Sequence, residues 1–288
     1  DHTDLGRSWP EACWRGWRAL RGLLKVKKID ESKESLMPVF QSEGFTLAYD
    51  VHGEGKPVVA VHGFASNGNV NWVATGWVDE LTKAGYQVIT LDNRGHGASE
   101  KIYDPSVYGA ADMARDVANL IDHLEFEKAA LIGYSMGARI SAFVCIRNRE
   151  KVACAIFGGL GGNMVRPMLD SDEIIAGLNA PTLAEVTHKT GRQFRIFAEH
   201  TKSDLKALSA CMAGSRTRIS EEQIRQIAVP VLVAVGSEDE VGGDPEMLAG
   251  LMPHGEALTI ERRDHMRATG DPQFKRGALE FLARVYPA

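Results

Sequence analysis

The sequence predicts an α/β fold: a mostly parallel central sheet flanked by helices, with a helical insertion. From Val39 onward, short β-branched apolar runs alternate with helical periodicities, the pattern of a sheet covered on both faces. Between Val165 and Val229 the alternation stops. Helical spacings such as Phe194, Phe197 and Ala198 persist there, without a parallel-strand run. The balance of 44% hydrophobic and 25% charged residues in 288 suits a globular chain with a sizeable core.

Taken in order, Phe45 to Val51 reads as an early strand or hairpin arm and Pro57 to His62 as a buried strand. Val73 to Ala84 reads as a helix closed by Gly85, a residue suited to the left-handed position after a helix. Gln87 to Asp92 is the next strand. Met113, Val117, Leu120, Ile121 and Leu124 recur at spacings of three and four and mark one helix face before the strand Lys128 to Ile132. Val152 to Phe157, Pro230 to Val235 and Ala257 to Ile260 are further strands, and Gln273 to Val285 is a terminal helix. The expected organisation is a core of residues 37–164 and 230–288 with a helical cap of residues 165–229.

Residues 1–36 differ from the rest. They hold Trp9, Trp14 and Trp17, three of five tryptophans, among Arg15, Arg18, Arg21, Lys25, Lys27 and Lys28. Cys13, Trp17, Leu20 and Leu24 fall at helical spacing, which suits a short amphipathic helix of interfacial character. The alternative is a leader or extension ahead of a natural start at Met37, to be set aside in fold reasoning. The segment lacks the uninterrupted apolar run of a signal peptide.

Composition excludes several partners. No stretch approaches the ~18 apolar residues of a membrane helix, so no integral membrane segment is expected. Lys and Arg number 33 against 38 Asp and Glu, without a long basic block, so nucleic acid is not expected either. Cys13, Cys145, Cys154 and Cys211 show no Cys-x-x-Cys spacing, which suits reduced thiols and a cytoplasmic location. The nine histidines form no ligand pair, and no metal is expected.

The strongest local signal is Gly133-Tyr134-Ser135-Met136-Gly137. Composition alone yields about 0.15 Gly-x-Ser-x-Gly matches per chain of this length, so context decides. The motif directly follows the apolar strand ending at Ile132 and directly precedes the helical stretch Ala138 to Ile146. That is the strand, sharp turn and helix of a nucleophile elbow, in which flanking side chains must be minimal because the turn is crowded.

With His62-Gly63-Phe64 after an upstream strand and Asp92-Asn93-Arg94-Gly95-His96-Gly97-Ala98-Ser99 after the next, the chain resembles the α/β-hydrolase superfamily, in particular capped bacterial esterase-like hydrolases. The resemblance runs from about Met37 to the C-terminus and implies an α/β-hydrolase fold with a helical cap. It implies Ser135 as nucleophile, Asp239 in Gly236-Ser237-Glu238-Asp239 as the acid and His265 as the base. Glu238, Glu240 and Asp244 are neighbouring carboxylates, but Asp239 has the family's offset from Gly236. Asp264 is a poorer orienter of His265, since adjacent residues in an extended segment point to opposite sides. The resemblance also places backbone N–H groups of Phe64 and Met136 in an oxyanion hole, and makes His62, His96 and the Arg94 turn structural.

The implied activity is a carboxylesterase-like serine hydrolase acting on a small-molecule ester of small to medium acyl groups, with no cofactor. Met168, Leu169, Ile174, Ile175, Leu178, Phe194 and Phe197 supply apolar surface that roofs a pocket or glues the cap to the core. C–C hydrolases, enol-lactonases and cofactor-free perhydrolases share the same three residue types. Arg139 is similar to a position in lyase-type relatives that act on carboxylated cyclohexadienes, although Ala138 stands where glycine is usual; its plain alternative is a helix-surface ion pair. A silent hydrolase fold used as a receptor or interaction module is the reading outside enzymes. Oligomeric state is not legible from the sequence.

Overall fold

The computed structural model describes residues 37–167, 170–215 and 218–288. Among these, eight strands form one sheet: β1 (Val39–Ser42), β2 (Phe45–His52), β3 (Lys56–Val61), β4 (Tyr86–Leu91), β5 (Ala129–Tyr134), β6 (Val152–Gly158), β7 (Val231–Gly236) and β8 (Gly255–Ile260). Their spatial order is β1-β2-β4-β3-β5-β6-β7-β8. β1 pairs antiparallel with β2 and β2 antiparallel with β4, while β3 to β8 run parallel. The predicted strands are present with ends shifted by at most two residues. β1 is additional: only four residues long, it carries too short a pattern to be read alone.

The helices are α1 (Trp77–Lys83), α2 (Ala110–His123), α3 (Met136–Arg147), α4 (Ser171–Asn179), α5 (Lys189–His200), α6 (Leu205–Gly214), α7 (Glu221–Arg225), α8 (Pro245–Ala249), α9 (His265–Ala268) and α10 (Pro272–Val285). α4 to α7 lie between β6 and β7 in the chain and form the expected helical insertion. The predicted helix over Val73 to Ala84 needs correction. A π-helical turn spans Asn69–Val73, and Gly76 at φ 78° breaks the path before α1 begins. Its apolar spacing is helical on both sides of a left-handed residue that periodicity does not register. The proposed amphipathic helix in residues 1–36 lies outside the described residues, as do Met168 and Leu169.

Alternation along the strands distributes the core to both faces of the sheet. Val59, Val61, Ile89, Leu91 and Leu131 pack with Met113, Val117, Leu120 and Ile121 of α2 and with Ile140 and Phe143 of α3. Val58, Ala60, Val88, Ala130 and Ile132 point the other way, toward Trp77, Phe274 and Phe281. The edge is locked by charge. Arg94, just after β4, donates from Nε to Asp116 Oδ2 and from Nη2 to Oδ1, both at 2.7 Å, and from Nη1 to the Val107 carbonyl at 2.6 Å. The Ser42 hydroxyl adds a donor to Asp116 Oδ1 at 2.6 Å. Burial pushes the Asp116 carboxyl up from the ordinary carboxylate range, and the Arg94 contacts oppose that. Every oxygen of the carboxylate is thus occupied by β1 or by the turn after β4.

Removing one partner of such a pair strands a buried charge, at a cost of about 3 to 5 kcal/mol. Asp116→Ala is therefore expected to lose most of the chain's margin in urea unfolding at pH 7, far more than Glu43→Ala, whose pairing with Arg115 is exposed.

Candidate active site

β5 ends at Tyr134 and α3 begins at Met136, leaving Ser135 alone in the turn at φ 54° and ψ −111°. A non-glycine residue held there costs on the order of 1 to 3 kcal/mol and persists only when its surroundings over-determine it. They do. A Cβ on Gly133 would collide with the Gly137 carbonyl, and one on Gly137 with the Val61 carbonyl, so both motif glycines are sterically required. The Ser135 N–H donates to the Gly158 carbonyl at 2.8 Å, tying the turn to the end of β6.

His265 opens α9 on the loop after β8. Its Nε2 lies 3.1 Å from Ser135 Oγ, and its Nδ1 lies 2.8 Å from Asp239 Oδ2 and 3.0 Å from Oδ1. Asp239, on the loop after β7, also accepts the Gly242 N–H at 2.8 Å through Oδ1. The Asp239 side chain is 0% exposed and that of His265 17%, so the line runs from a buried carboxylate outward to a partly accessible ring. The structure thus brings together the three residues singled out in the sequence. Asp264, the alternative acid, turns elsewhere: its Oδ1 accepts the N–H groups of Met266 and Arg267 and caps α9. Asp244 likewise caps α8 through the Glu246 N–H.

The loop after β3 lies against the elbow. A Cβ on Gly63 would sit 3.6 Å from Ser135 Cβ, which brings the following residue, Phe64, beside the serine. Met136 opens α3, where first-turn N–H groups have no intrahelical acceptor. His62 serves the backbone: Nδ1 donates to the Gly63 carbonyl at 2.7 Å and Nε2 accepts the Asn93 N–H at 3.0 Å, which defines the neutral tautomer. His96 Nδ1 donates to the Arg94 carbonyl at 3.0 Å. Burial lowers His62 to about 4, and burial with the neighbouring His62 lowers His96 to about 3.

The insertion rests on this same loop. Ala65 clusters with Ile174, Leu178, Ala198, Leu208 and Met212. The Phe64 and Phe194 rings lie 5.6 Å apart, and the Cys211 thiol approaches Met136 Sδ at 4.0 Å.

Arg139 departs from the surface ion pair considered above. It is 7% exposed, its Nη1 donates to the Met164 carbonyl at 2.8 Å, and it forms no ion pair among the described residues. Burial lowers its pKa. Its guanidinium reaches the turn after β6.

The family described as alpha/beta hydrolase fold matches residues 56–187. The chain has the α/β-hydrolase fold. It is 29% identical over 263 residues to a Mycobacterium tuberculosis protein named as a non-heme bromoperoxidase, covering 83% of this chain and 98% of the relative. It is 26% identical to a non-heme chloroperoxidase of Kitasatospora aureofaciens, over 85% of this chain and 99% of the relative. Among solved structures, a thermophilic esterase from Thermogutta terrifontis matches with a TM-score of 0.65 at 25% identity, covering 87% of this chain and 98% of that one.

Sequence reasoning about this α/β-hydrolase missed the residues that hold its loops. Asn71 Oδ1 accepts the Gly63 N–H at 3.0 Å, and Asn93 Nδ2 donates to the His62 carbonyl at 3.2 Å. The run Asn67, Asn69, Asn71 was a usable signal, since asparagine side chains bind backbone in turns.

His62 and His96 fold neutral, whereas unfolded histidines protonate near 6.5. Their contribution is complete above that pH and is lost as pH falls toward about 4 and 3, at about 1 kcal/mol per pH unit per ring. Urea unfolding between pH 7 and 4.5 is expected to show stability falling with acid. His62→Gln is expected to be less stable at pH 7 but to have a shallower slope across that range.

Proposed function

We propose that this α/β hydrolase is a serine hydrolase cleaving carboxylic esters of small to medium acyl groups through an acyl-enzyme. The observation that supports this most is the continuous line from Asp239 through His265 to Ser135 at a strained strand-to-helix turn. In this reading residues 165–229 form the cap. His265 Nε2 takes the Ser135 proton as Oγ attacks the ester carbonyl, and Asp239 holds the Nδ1–H tautomer and stabilises the imidazolium. The N–H groups of Phe64 and Met136 receive the oxyanion, at ~3 kcal/mol each in a water-poor setting. His265 then protonates the departing alcohol, and in the second half removes a proton from the water that attacks the acyl-enzyme. The acid leaves and the serine regains its proton.

Similarity to relatives named as haloperoxidases supports a variant of the second half, in which hydrogen peroxide replaces water and a peracid leaves. A second reading is favoured by Arg139. A buried guanidinium without a carboxylate partner among the described residues is costly, and a substrate bearing an anionic group would pair it.

Ser135→Ala is expected to reduce turnover about a millionfold. Asp239→Asn is expected to cost on the order of 10⁴-fold, with Asp264→Asn mild; the reverse ranking moves the acid to residue 264. Substrate class is tested with p-nitrophenyl acetate, butyrate, octanoate and hemisuccinate. Fast turnover of acetate and butyrate is the expected result. Preference for hemisuccinate, abolished in Arg139→Gln, selects the second reading, and inertness toward the whole panel overturns the esterase assignment.

A further inference from the structure

We infer that Tyr134 is a positioning residue whose phenol ties the strand carrying Ser135 to the backbone of His265, and so sets the distance between Oγ and Nε2. The inference rests on the proposed triad and deepens it. Tyr134 immediately precedes Ser135, yet its hydroxyl reaches across to donate to the carbonyl of His265 itself at 2.5 Å. Its ring lies 5.5 Å from the His265 imidazole and 6.4 Å from Phe274.

The phenol has little freedom to move. On its flank are Gly158 and Gly159, where a Cβ would come 2.8 Å from Tyr134 Cδ2 and 2.6 Å from Cζ respectively. Two consecutive glycines thus clear the volume the ring fills. Gly158 also accepts the Ser135 N–H, so serine and phenol are registered against the same residue of β6. Burial, followed by the nearby Asp239 charge, raises the phenol far above its ordinary pKa, so the group stays a donor.

His265 needs such an anchor more than Ser135 does. It begins a helix of four residues, on a loop that passes through a left-handed Arg262 at φ 57°. Other ties act at a distance: Arg263 pairs with Asp271 at 2.5 Å, and Trp77 Nε1 donates to the Thr269 carbonyl at 2.7 Å. The Tyr134 bond acts on His265's own peptide. With that carbonyl held, the remaining adjustments of the imidazole are its two side-chain torsions, and the hydrogen bond to Asp239 restricts those. A displacement of about 1 Å at a reacting pair can cost about a hundredfold in rate.

The test uses a fluorophosphonate probe, which reports serine reactivity without knowledge of the natural substrate, on the full chain. In Tyr134→Phe the maximal labelling rate is expected to fall at least tenfold while the half-saturating probe concentration stays unchanged. Incorporating p-aminophenylalanine at position 134, which restores a donor, is expected to recover most of the rate. Tyr49→Phe, which loses a hydroxyl paired with His123 elsewhere on the sheet, serves as the control and labels like wild type. Near-UV circular dichroism sets equal folded concentrations. Equal maximal rates in wild type and Tyr134→Phe, or a loss that the amino variant does not recover, overturn the role of Tyr134 and leave the triad standing. A wild-type chain that does not label at all overturns the triad reading, and this inference with it.

Discussion

Holding Ser135 at positive φ is the constraint from which the rest of the site follows. The turn places the serine between the last residue of β5 and the first of α3, so its hydroxyl projects beyond the strand ends instead of into the sheet. Such a conformation survives only if the neighbours leave no alternative. Gly133 and Gly137 allow α3 to approach β5 and the Val61 carbonyl closely, and Gly158 takes the serine N–H. With the serine so confined, the other groups have one place to meet it. The loops after β3, β7 and β8 bring Phe64, Asp239 and His265 there, at the end of the parallel sheet where loops of such folds gather.

Confinement of those loops is largely a matter of buried polar groups satisfying backbone. Asp92 accepts the N–H groups of Gly68 and Ala98, each at 2.7 Å, and so links the loop after β3 to the turn after β4. His62 bridges the same two segments through the Gly63 carbonyl and the Asn93 N–H. Lys101 donates to the Gly97 carbonyl at 2.6 Å and the Ser99 carbonyl at 2.5 Å, closing the turn from outside. These groups are conspicuous as chemistry-bearing residues in a sequence, yet their hydrogen bonds are spent on geometry. Two neutral buried imidazoles are consistent with that: a ring that must charge during turnover is poorly placed where burial holds it near 4 or below.

What the sequence discloses follows from the range of each interaction. Strand runs and the α2 stripe are local patterns, and they mark β2 to β8 to within a few residues. The elbow is also legible locally, because its glycines lie within residues 133 to 137, even though the Val61 carbonyl is what crowds Gly137. Asp239 and His265, which the fold brings to Ser135, could be singled out because each stands on a loop directly after a strand. Tyr134 and Asn71 were not, since the bonds that matter join residue 134 to 265 and residue 71 to 63 through the fold. For Arg139 the surface ion pair, one of its two readings, fails for a related reason: its partner, the Met164 carbonyl, lies in the turn after β6 and is reached only through the fold. The helix over Val73 to Ala84 failed at Gly76, where one left-handed residue outweighs an otherwise regular stripe.

Departures from local consistency in a folded chain tend to mark places where function has been favoured over stability. Three of them fall around the same strand ends. Ser135 has a backbone conformation that side chains avoid, and among the described residues Arg139 is a buried cation without an ion-pair partner and His96 keeps a buried Nε2 without a hydrogen bond. Asn71 Nδ2 and Trp72 Nε1 also lack hydrogen-bond partners among the described residues, so an orphaned atom alone identifies nothing. The cost at Ser135 is matched by the imidazole of His265, which meets its hydroxyl and is itself held by Asp239, and that is a site-building arrangement. The cost at Arg139 is met less fully within the fold: a guanidinium offers five donors, and among the described residues one carbonyl accepts from it. A stable fold could have placed an apolar residue of similar length there, often at no loss. The asymmetry between these two positions is why substrate charge, more than acyl length, is the sharper question to put to the proposed hydrolase.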